Sequence, residues 1–369
     1  MMSVTSAAIA AVPEELRPIV DLAAVPSPDG AAVAAGARWL VLSADGALSV
    51  WQPVTGEVTS EVRLRFDHLR LPDVVEAEAG PKALQPWPRL HVSRCGTWAA
   101  VVQDCGRYGV VMETASGLPR LMLDGGDYHP ETVPFALAFA EHGGRTVVVH
   151  RSAWNRLDVT DPATGELLTT RELADASAED PEHYLDYFHG ALYQSPDGTR
   201  LYDDGWVWQP QGVPAVWSLN AWLDGNPYES EDGPTLIYNP DFEEWNEPVV
   251  WIRGDRLAHR DAGEGPHRPA ATVILDPTAT QPGYGGHLRI KTVRTLPDLA
   301  AGRYFTDGEH LLISTEAGLN AYDIDTGEQQ FVIEGFRPTR QDPHTGTLIQ
   351  IDGALAYTWT PAAWTPRFG

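Results

Sequence analysis

Between Arg200 and Arg253 the chain runs for 52 residues without a single lysine or arginine. That stretch holds ten carboxylates, Asp203, Asp204, Asp224, Glu229, Glu231, Asp232, Asp241, Glu243, Glu244 and Glu247. It also holds six of the thirteen tryptophans, Trp206, Trp208, Trp217, Trp222, Trp245 and Trp251. Indole and phenol faces attract guanidinium and ammonium groups, and neighbouring carboxylates pair with them. The segment includes Pro-rich polar sequence such as Asn226 to Pro234, and binding groups concentrate on long loops carried by a rigid scaffold. Trp222, Asp224, Tyr228, Glu229, Glu231, Asp232, Asp241, Glu243, Glu244 and Trp245 are therefore the candidate binding residues. A basic protein segment, a small cation or a sugar stacked on an indole would suit them. Trp206, Trp208, Trp217 and Trp251 are expected to pack between structural units instead.

Other constellations carry less chemistry. His183 and His189 lie near Asp180 and Asp186, but a spacing of six matches no common zinc motif, so no metal ligand is assigned. Asp323-Ile-Asp325-Thr-Gly327-Glu328 has the start of a calcium loop without its remaining ligands, and reads as a hairpin turn. No Gly-x-Ser-x-Gly elbow, phosphate-binding Walker sequence or dinucleotide-binding glycine pattern occurs, and no catalytic or cofactor-binding residue is assigned.

Fifty-one acidic side chains against 26 basic ones give a net charge of −25 in 369 residues, and only Lys82 and Lys291 are lysines. Such a chain repels nucleic-acid phosphates, and no basic cluster compensates. The apolar start, Met1 to Val12, has no leading base and is too short to span a bilayer, so neither a signal peptide nor a membrane segment is expected. Cys95 and Cys105 flank a run that reads as a strand. About 25–30 Å would separate them, against a disulfide limit of about 7 Å. Two free thiols, and with them a cytoplasmic location, are the expectation.

The elements that must position these residues come from a repeat. Pro53-Val-Thr-Gly-Glu57, Pro162-Ala-Thr-Gly-Glu166 and Ile324-Asp-Thr-Gly-Glu328 are near-identical turns, their glycines 109 and 162 residues apart. Both separations are multiples of about 54, a propeller-like period. Each turn lies between β-rich runs: Trp39–Ser43, Ala47–Trp51 and Val58–Arg63 in the first unit, Phe135–Phe139, Thr146–His150, Arg156–Thr160 and Leu167–Arg171 in the third. The sixth unit repeats the order with Arg303–Thr306, His310–Ser314, Leu319–Asp323 and Gln330–Ile333. Degenerate turns are expected at Ser116-Gly117 and Gln211-Gly212, and another near Asp276-Pro277; Ala215 to Leu223 is the one short helix expected.

The last unit, Thr347–Ile351 and Ala354–Trp359, lacks an outermost strand, and Pro18–Ala23 is a surplus strand that could supply it. These units resemble the blades of a seven-bladed β-propeller of the loosely WD40-like, bacterial kind, and the Arg-rich, Ala-rich composition is similar to that of high-GC bacteria. The Gly-His and Trp-Asp signatures of true WD40 repeats are absent. The resemblance covers the whole chain as one domain, 1–369, with a loop-rich insertion at about 203–248. It implies an all-β fold of four-stranded antiparallel blades closed by the N-terminal strand, and it names no activity. The expected function is a non-catalytic scaffold that binds a protein partner with a basic surface through the acidic, Trp-rich loop. The alternatives are a propeller that binds a small cation or carbohydrate, and a lyase or hydrolase with its site at the channel mouth.

Overall fold

Runs such as Trp39-Leu-Val-Leu42 are apolar on both faces, so a sheet built from them cannot leave either side in water. Each sheet must be covered twice, and packing copies of the sheet around an axis does this. The computed structural model describes residues 7–27, 36–64, 86–172, 181–264, 267–283, 286–297, 299–362 and 364. It contains seven antiparallel sheets in a ring. Trp39 and Val41 face the last blade, with Ile349 and Ala356, while Leu40 and Leu42 face the second, with Leu90 and Val101. The same alternation makes a buried apolar wedge at every blade junction.

From the axis outward, blade 1 is Ile19–Val25, Arg38–Ser43, Ala47–Gln52 and Glu57–Arg63. Blade 2 is Trp87–Val92, Trp98–Asp104, Tyr108–Glu113 and Pro119–Asp124. Blade 3 has three strands, Leu137–His142, Arg145–Ala153 and Arg156–Thr160. Blade 4 is Phe188–Gln194, Arg200–Val207, Ala215–Ser218 and Ile237–Tyr238, with Gln211–Gly212 folded back onto its second strand. Blade 5 is Val249–Ile252, Arg256–Asp261, Ala271–Pro282 and Leu288–Pro297. Blade 6 is Arg303–Thr306, His310–Ser314, Gly318–Asp323 and Gln329–Glu334. Blade 7 is Arg340–Gln341, Leu348–Asp352 and Leu355–Trp359, completed on its outside by Ala8–Ala11.

The three recurrent turns join third to outer position in blades 1, 3 and 6, and they share one geometry. Gly56, Gly165 and Gly327 take φ of +73°, +77° and +75°, the left-handed region that only glycine enters freely. The amide two residues after Thr55, Thr164 and Thr326 donates to that threonine's hydroxyl at 3.2 Å in each case. Asp342-Pro-His-Thr-Gly346 repeats the chemistry, with the Thr347 amide on Thr345 Oγ1 at 3.3 Å, but joins the first and second strands of blade 7. Turn chemistry therefore does not by itself mark position within a blade.

Five local expectations are corrected. Pro18–Ala23 does not close the ring: Ile19–Val25 is the innermost strand of blade 1, and Ala8–Ala11 pairs with Leu355–Trp359. Asp21 explains this placement, because its carboxylate is needed at the channel wall. It accepts the Leu90 amide at 2.8 Å and Arg340 Nη2 at 2.6 Å, tying blade 1 to blades 2 and 7. In blade 3, Leu167–Arg171 continues as a single bridge from Thr160 to Leu167 and not as a fourth strand. The Thr169 hydroxyl there takes the Val159 amide in place of a backbone carbonyl. Gln211-Gly212 lies between the second and third strands of blade 4, and Asp276-Pro277 is a bulge inside the long strand Ala271–Pro282. Finally, Ala215–Ser218 is strand; the helix is Leu219–Asp224, with the Ser218 hydroxyl accepting the Ala221 amide as its cap.

Removing Ala8–Ala11 uncovers the outer edge of Leu355–Trp359. A chain starting at Pro13 is expected to lose about 2–4 kcal/mol of unfolding free energy, from a few backbone hydrogen bonds of about 1 kcal/mol each, and to self-associate through the bared edge. Urea denaturation and light scattering would check this, and an unchanged midpoint would contradict it.

Candidate functional site

Connections from outer to next inner strand and from second to third strand open on one face of the ring, here the upper face. First-to-second and third-to-outer turns open on the lower face. This division separates the candidate residues into two groups. Trp222, Asp224, Tyr228, Glu229, Glu231 and Asp232 belong to the connection leading to the outer strand of blade 4, which leaves the lower face and wraps the rim toward blade 3. Asp241, Glu243, Glu244 and Trp245 belong to the upper connection from blade 4 to blade 5.

Most of the first group is engaged internally. Trp222 is buried among blade 3 and 4 residues and donates its indole N–H to the Pro227 carbonyl at 3.0 Å. Glu229 is buried and accepts the Thr235 amide at 2.8 Å and hydroxyl at 2.6 Å. Glu231 is paired with Arg171, whose side chain is 2% exposed and whose Nη1 also donates to Asp158 at 2.8 Å. Asp232 pairs with His183 Nδ1 at 2.8 Å, and Tyr228 stacks on the same imidazole at 3.7 Å. Asp224 reaches His142 at 3.1 Å. The base-free segment thus draws its counter-charges from blade 3 and from the connection after it. Asp224, Tyr228 and Asp232 keep part of their surface at the rim.

The second group adjoins an aromatic stack. Trp245 lies flat on Trp206 with centroids 4.8 Å apart, Trp206 on Phe188 at 4.2 Å, and Phe188 meets Trp154 at 4.5 Å. Trp245 and Asn246 both donate to the Thr132 carbonyl, at 2.9 and 3.0 Å, fastening blades 3 and 5 across blade 4. On this buried base stand Tyr128 and Trp208, 45% and 43% exposed. Gly212 lets the Trp208 loop press against the acidic connection: its amide donates to Glu243 O at 3.1 Å, and a Cβ there would lie 2.2 Å from the Glu244 carbonyl. Asp241 pairs with Arg289. Desolvation, together with the facing carboxyl of Glu264, raises Glu243 above the usual carboxylate range. Two acids forced together on an exposed face favour a cation between them. Trp208 is therefore exposed where packing was expected, whereas Trp222 and Trp245 are packed where exposure was expected. Trp217 and Trp251 sit between blades.

Sequence reasoning named the channel mouth only as an alternative site and assigned no residue to it. An open cavity of about 960 Å³ at the upper end of the axis is lined by Arg89, His91, Arg260, Arg303, Arg337 and Arg340 among others. These arginines come from blades 2, 5, 6 and 7 and from the connection before blade 7, so no segment of the chain shows them as a cluster. Their one sequence signal is that arginine occurs at the start of several innermost strands. Arg89 pairs with Asp104, Arg340 with Asp21 at 2.6 Å, and Arg260 with Glu247 at 2.7 Å. Burial and the neighbouring Arg89 and Arg340 charges push the His91 imidazole down to about 3.

His183 and His189 go to different carboxylates: His189 is buried with Nδ1 2.7 Å from Asp203, while His183 is at the rim. Asp180 lies outside the described residues. Among the described residues no three metal-ligating side chains converge, and no helix is long and apolar enough to cross a membrane. Asp323 holds the hairpin turn by accepting the amides of Asp325 and Thr326 at 2.9 and 2.7 Å. Both cysteines are unpaired, Cys95 exposed and Cys105 buried.

Arg171→Leu would strand Glu231 in a buried setting, while Asp158 keeps Arg156 at 3.1 Å, and a loss of about 3–5 kcal/mol is expected from chemical denaturation. A loss under 1 kcal/mol would show that this ion triad does not hold the insertion. His91 titrates far lower in the folded chain than its ordinary value near 6.5. The unfolded chain therefore takes up the extra proton between about pH 6.5 and 3, and His91 lowers stability as pH falls through that window. Unfolding free energies measured at about pH 7 and 4.5 should differ less in His91→Gln than in the wild type; equal differences would contradict the assignment.

No family model matches the chain, and no curated protein does. Among solved structures, a chain from the crystal structure of a mitotic checkpoint complex aligns over 98% of this chain and 96% of its own length, with a TM-score of 0.52 and 12% identity. At that identity the likeness is one of fold, a seven-bladed propeller of WD40-like architecture.

Proposed function

We propose that this chain is a non-catalytic interaction scaffold whose upper face receives a protein partner through a basic segment. The observation that carries the proposal is the exposed pair Tyr128 and Trp208, held on the Trp206–Phe188–Trp245 stack beside Asp241, Glu243 and Glu244. Stacked rings beneath an exposed one hold it rigid, so a partner's arginine or lysine docks on it with little ordering cost. Glu264 already pairs with Arg268 at 3.1 Å, and the facing Glu243 gains a counter-ion in the same event. Asp224, Tyr228 and Asp232 form a second contact at the rim. The fold supports this reading, as does the occurrence of a similarly folded chain within a multi-protein complex. The two unpaired thiols support a reducing, cytoplasmic setting.

The test is affinity capture from the source organism's extract with wild type, Trp208→Ala and the double variant Glu243→Lys, Glu244→Lys, each verified as folded by circular dichroism. Loss of an aromatic anchor worth about 2 kcal/mol weakens binding more than tenfold, and charge reversal repels a basic segment. The captured partner should therefore be depleted with both variants. Undiminished capture by both would remove the upper face as the contact surface.

A further inference from the structure

Around the upper channel mouth the charge runs against that of the whole molecule. The chain carries −25 overall, yet five arginines line this one cavity. Three of them are committed: Arg89 to Asp104, Arg340 to Asp21 and Arg260 to Glu247. The guanidinium groups of Arg303 and Arg337 make no hydrogen bond or ion pair among the described residues, although the Arg337 backbone amide donates to Gln350 Oε1 at 2.5 Å. In a chain with 51 acidic and 26 basic side chains, these two guanidiniums stay without a carboxylate at one shared cavity. His91 Nε2 also has no hydrogen-bond partner there.

The three innermost guanidiniums feel one another. Burial, then the charges of Arg340 and Arg89, lower the Arg303 pKa, so the site already stores repulsion that an anion would relieve. Three acids share the lining, Asp204, Glu247 and Glu316. Glu247 is neutralised by Arg260, and Asp204 is buried with His259 Nε2 at 3.6 Å as its nearest base. Glu316 stands on the loop after the second strand of blade 6. The wall formed by blades 2, 6 and 7 thus carries Arg89, Arg303, Arg337 and Arg340 against one lining acid, Glu316.

We infer that Arg303, Arg337, Arg340 and the neutral imidazole of His91 form a binding site for a small, multiply charged anion bearing phosphoryl or carboxylate groups. The planar guanidinium fork matches both groups bidentately. A cavity of about 960 Å³ accommodates a metabolite-sized ligand. This site is independent of the aromatic surface, and either can fail without the other.

Isothermal titration calorimetry of the full chain at constant ionic strength, with pyrophosphate and with citrate as probes, tests the inference. Arg303→Gln, Arg337→Gln and their double variant remove side chains that hold nothing else, while Arg120→Gln on the outer strand of blade 2 is the control. Saturable binding is expected, about tenfold weaker or more in each single variant as charge-assisted hydrogen bonds are lost, and unchanged in Arg120→Gln and Trp208→Ala. Pyrophosphate alone binding assigns a phosphoryl ligand, citrate alone a polycarboxylate, and both a general polyanion site. Should a variant fail to fold, pyrophosphate or citrate must instead protect Arg303 of the wild type from phenylglyoxal labelling, read by mass spectrometry. No saturable binding of either probe, binding unaffected in the double variant, or labelling without protection would overturn the inference.

Discussion

No blade of this protein can exist with a face in water, because the middle strands are apolar on both sides. The ring follows from that constraint, and so does the need to join its ends. Asp21 does the joining at the axis: one buried carboxylate takes an amide from blade 2 and a guanidinium from blade 7. Comparable polar ties recur at other junctions, among them Asp104 with the Phe135 amide at 3.1 Å, Thr272 with Tyr304 at 2.6 Å, and Gln341 with the Thr306 carbonyl at 2.6 Å. Apolar wedges supply the burial, and these directed bonds set the angle and register of neighbouring blades.

Charge is distributed by the same geometry. The stretch from Arg200 to Arg253 holds no base, but a propeller places each outer connection against the neighbouring blade. Arg171, His183 and His142 therefore reach its acids from outside the segment. At the rim one arginine meets Glu231 and two histidines meet Asp224 and Asp232, so the segment that looks isolated along the chain is engaged in space. At the upper connection Glu243 faces Glu264 beside the exposed rings, with Arg268 paired to Glu264. The arginines behave in the opposite way: scattered along the chain, they converge because innermost strands share one axis.

The architecture was legible because its signals are local. Hairpin turns with a left-handed glycine and a threonine hydroxyl carry their own geometry, and apolar runs bounded by them mark strands in every blade. Where the expectations failed, a local signal had two uses. Ile19–Val25 is β-rich enough for either end of the ring, and only the demand for a carboxylate at the axis places it innermost. Gln211-Gly212 is not a turn but a short strand after the turn at 208–210, and its glycine serves a close approach to Glu244 and not the outer hairpin.

The candidate site was legible in composition and not in exposure. Tryptophan and carboxylate content singled out the segment that carries Trp208 and Glu243, but which rings face solvent depends on neighbours more than a hundred residues away, as Trp245 and Asn246 show by reaching Thr132. The sequence by itself determined most of the strands, the Thr-Gly turns, the blade number and the overall negative charge, since each follows from residues close in the chain. Only the tertiary structure decided which strand closes the ring, that Trp222 and Trp245 are packed while Trp208 is bare, and that arginines from separate blades meet at one channel mouth. Those outcomes depend on distances between residues far apart in the chain, which the ring sets and a linear pattern does not contain.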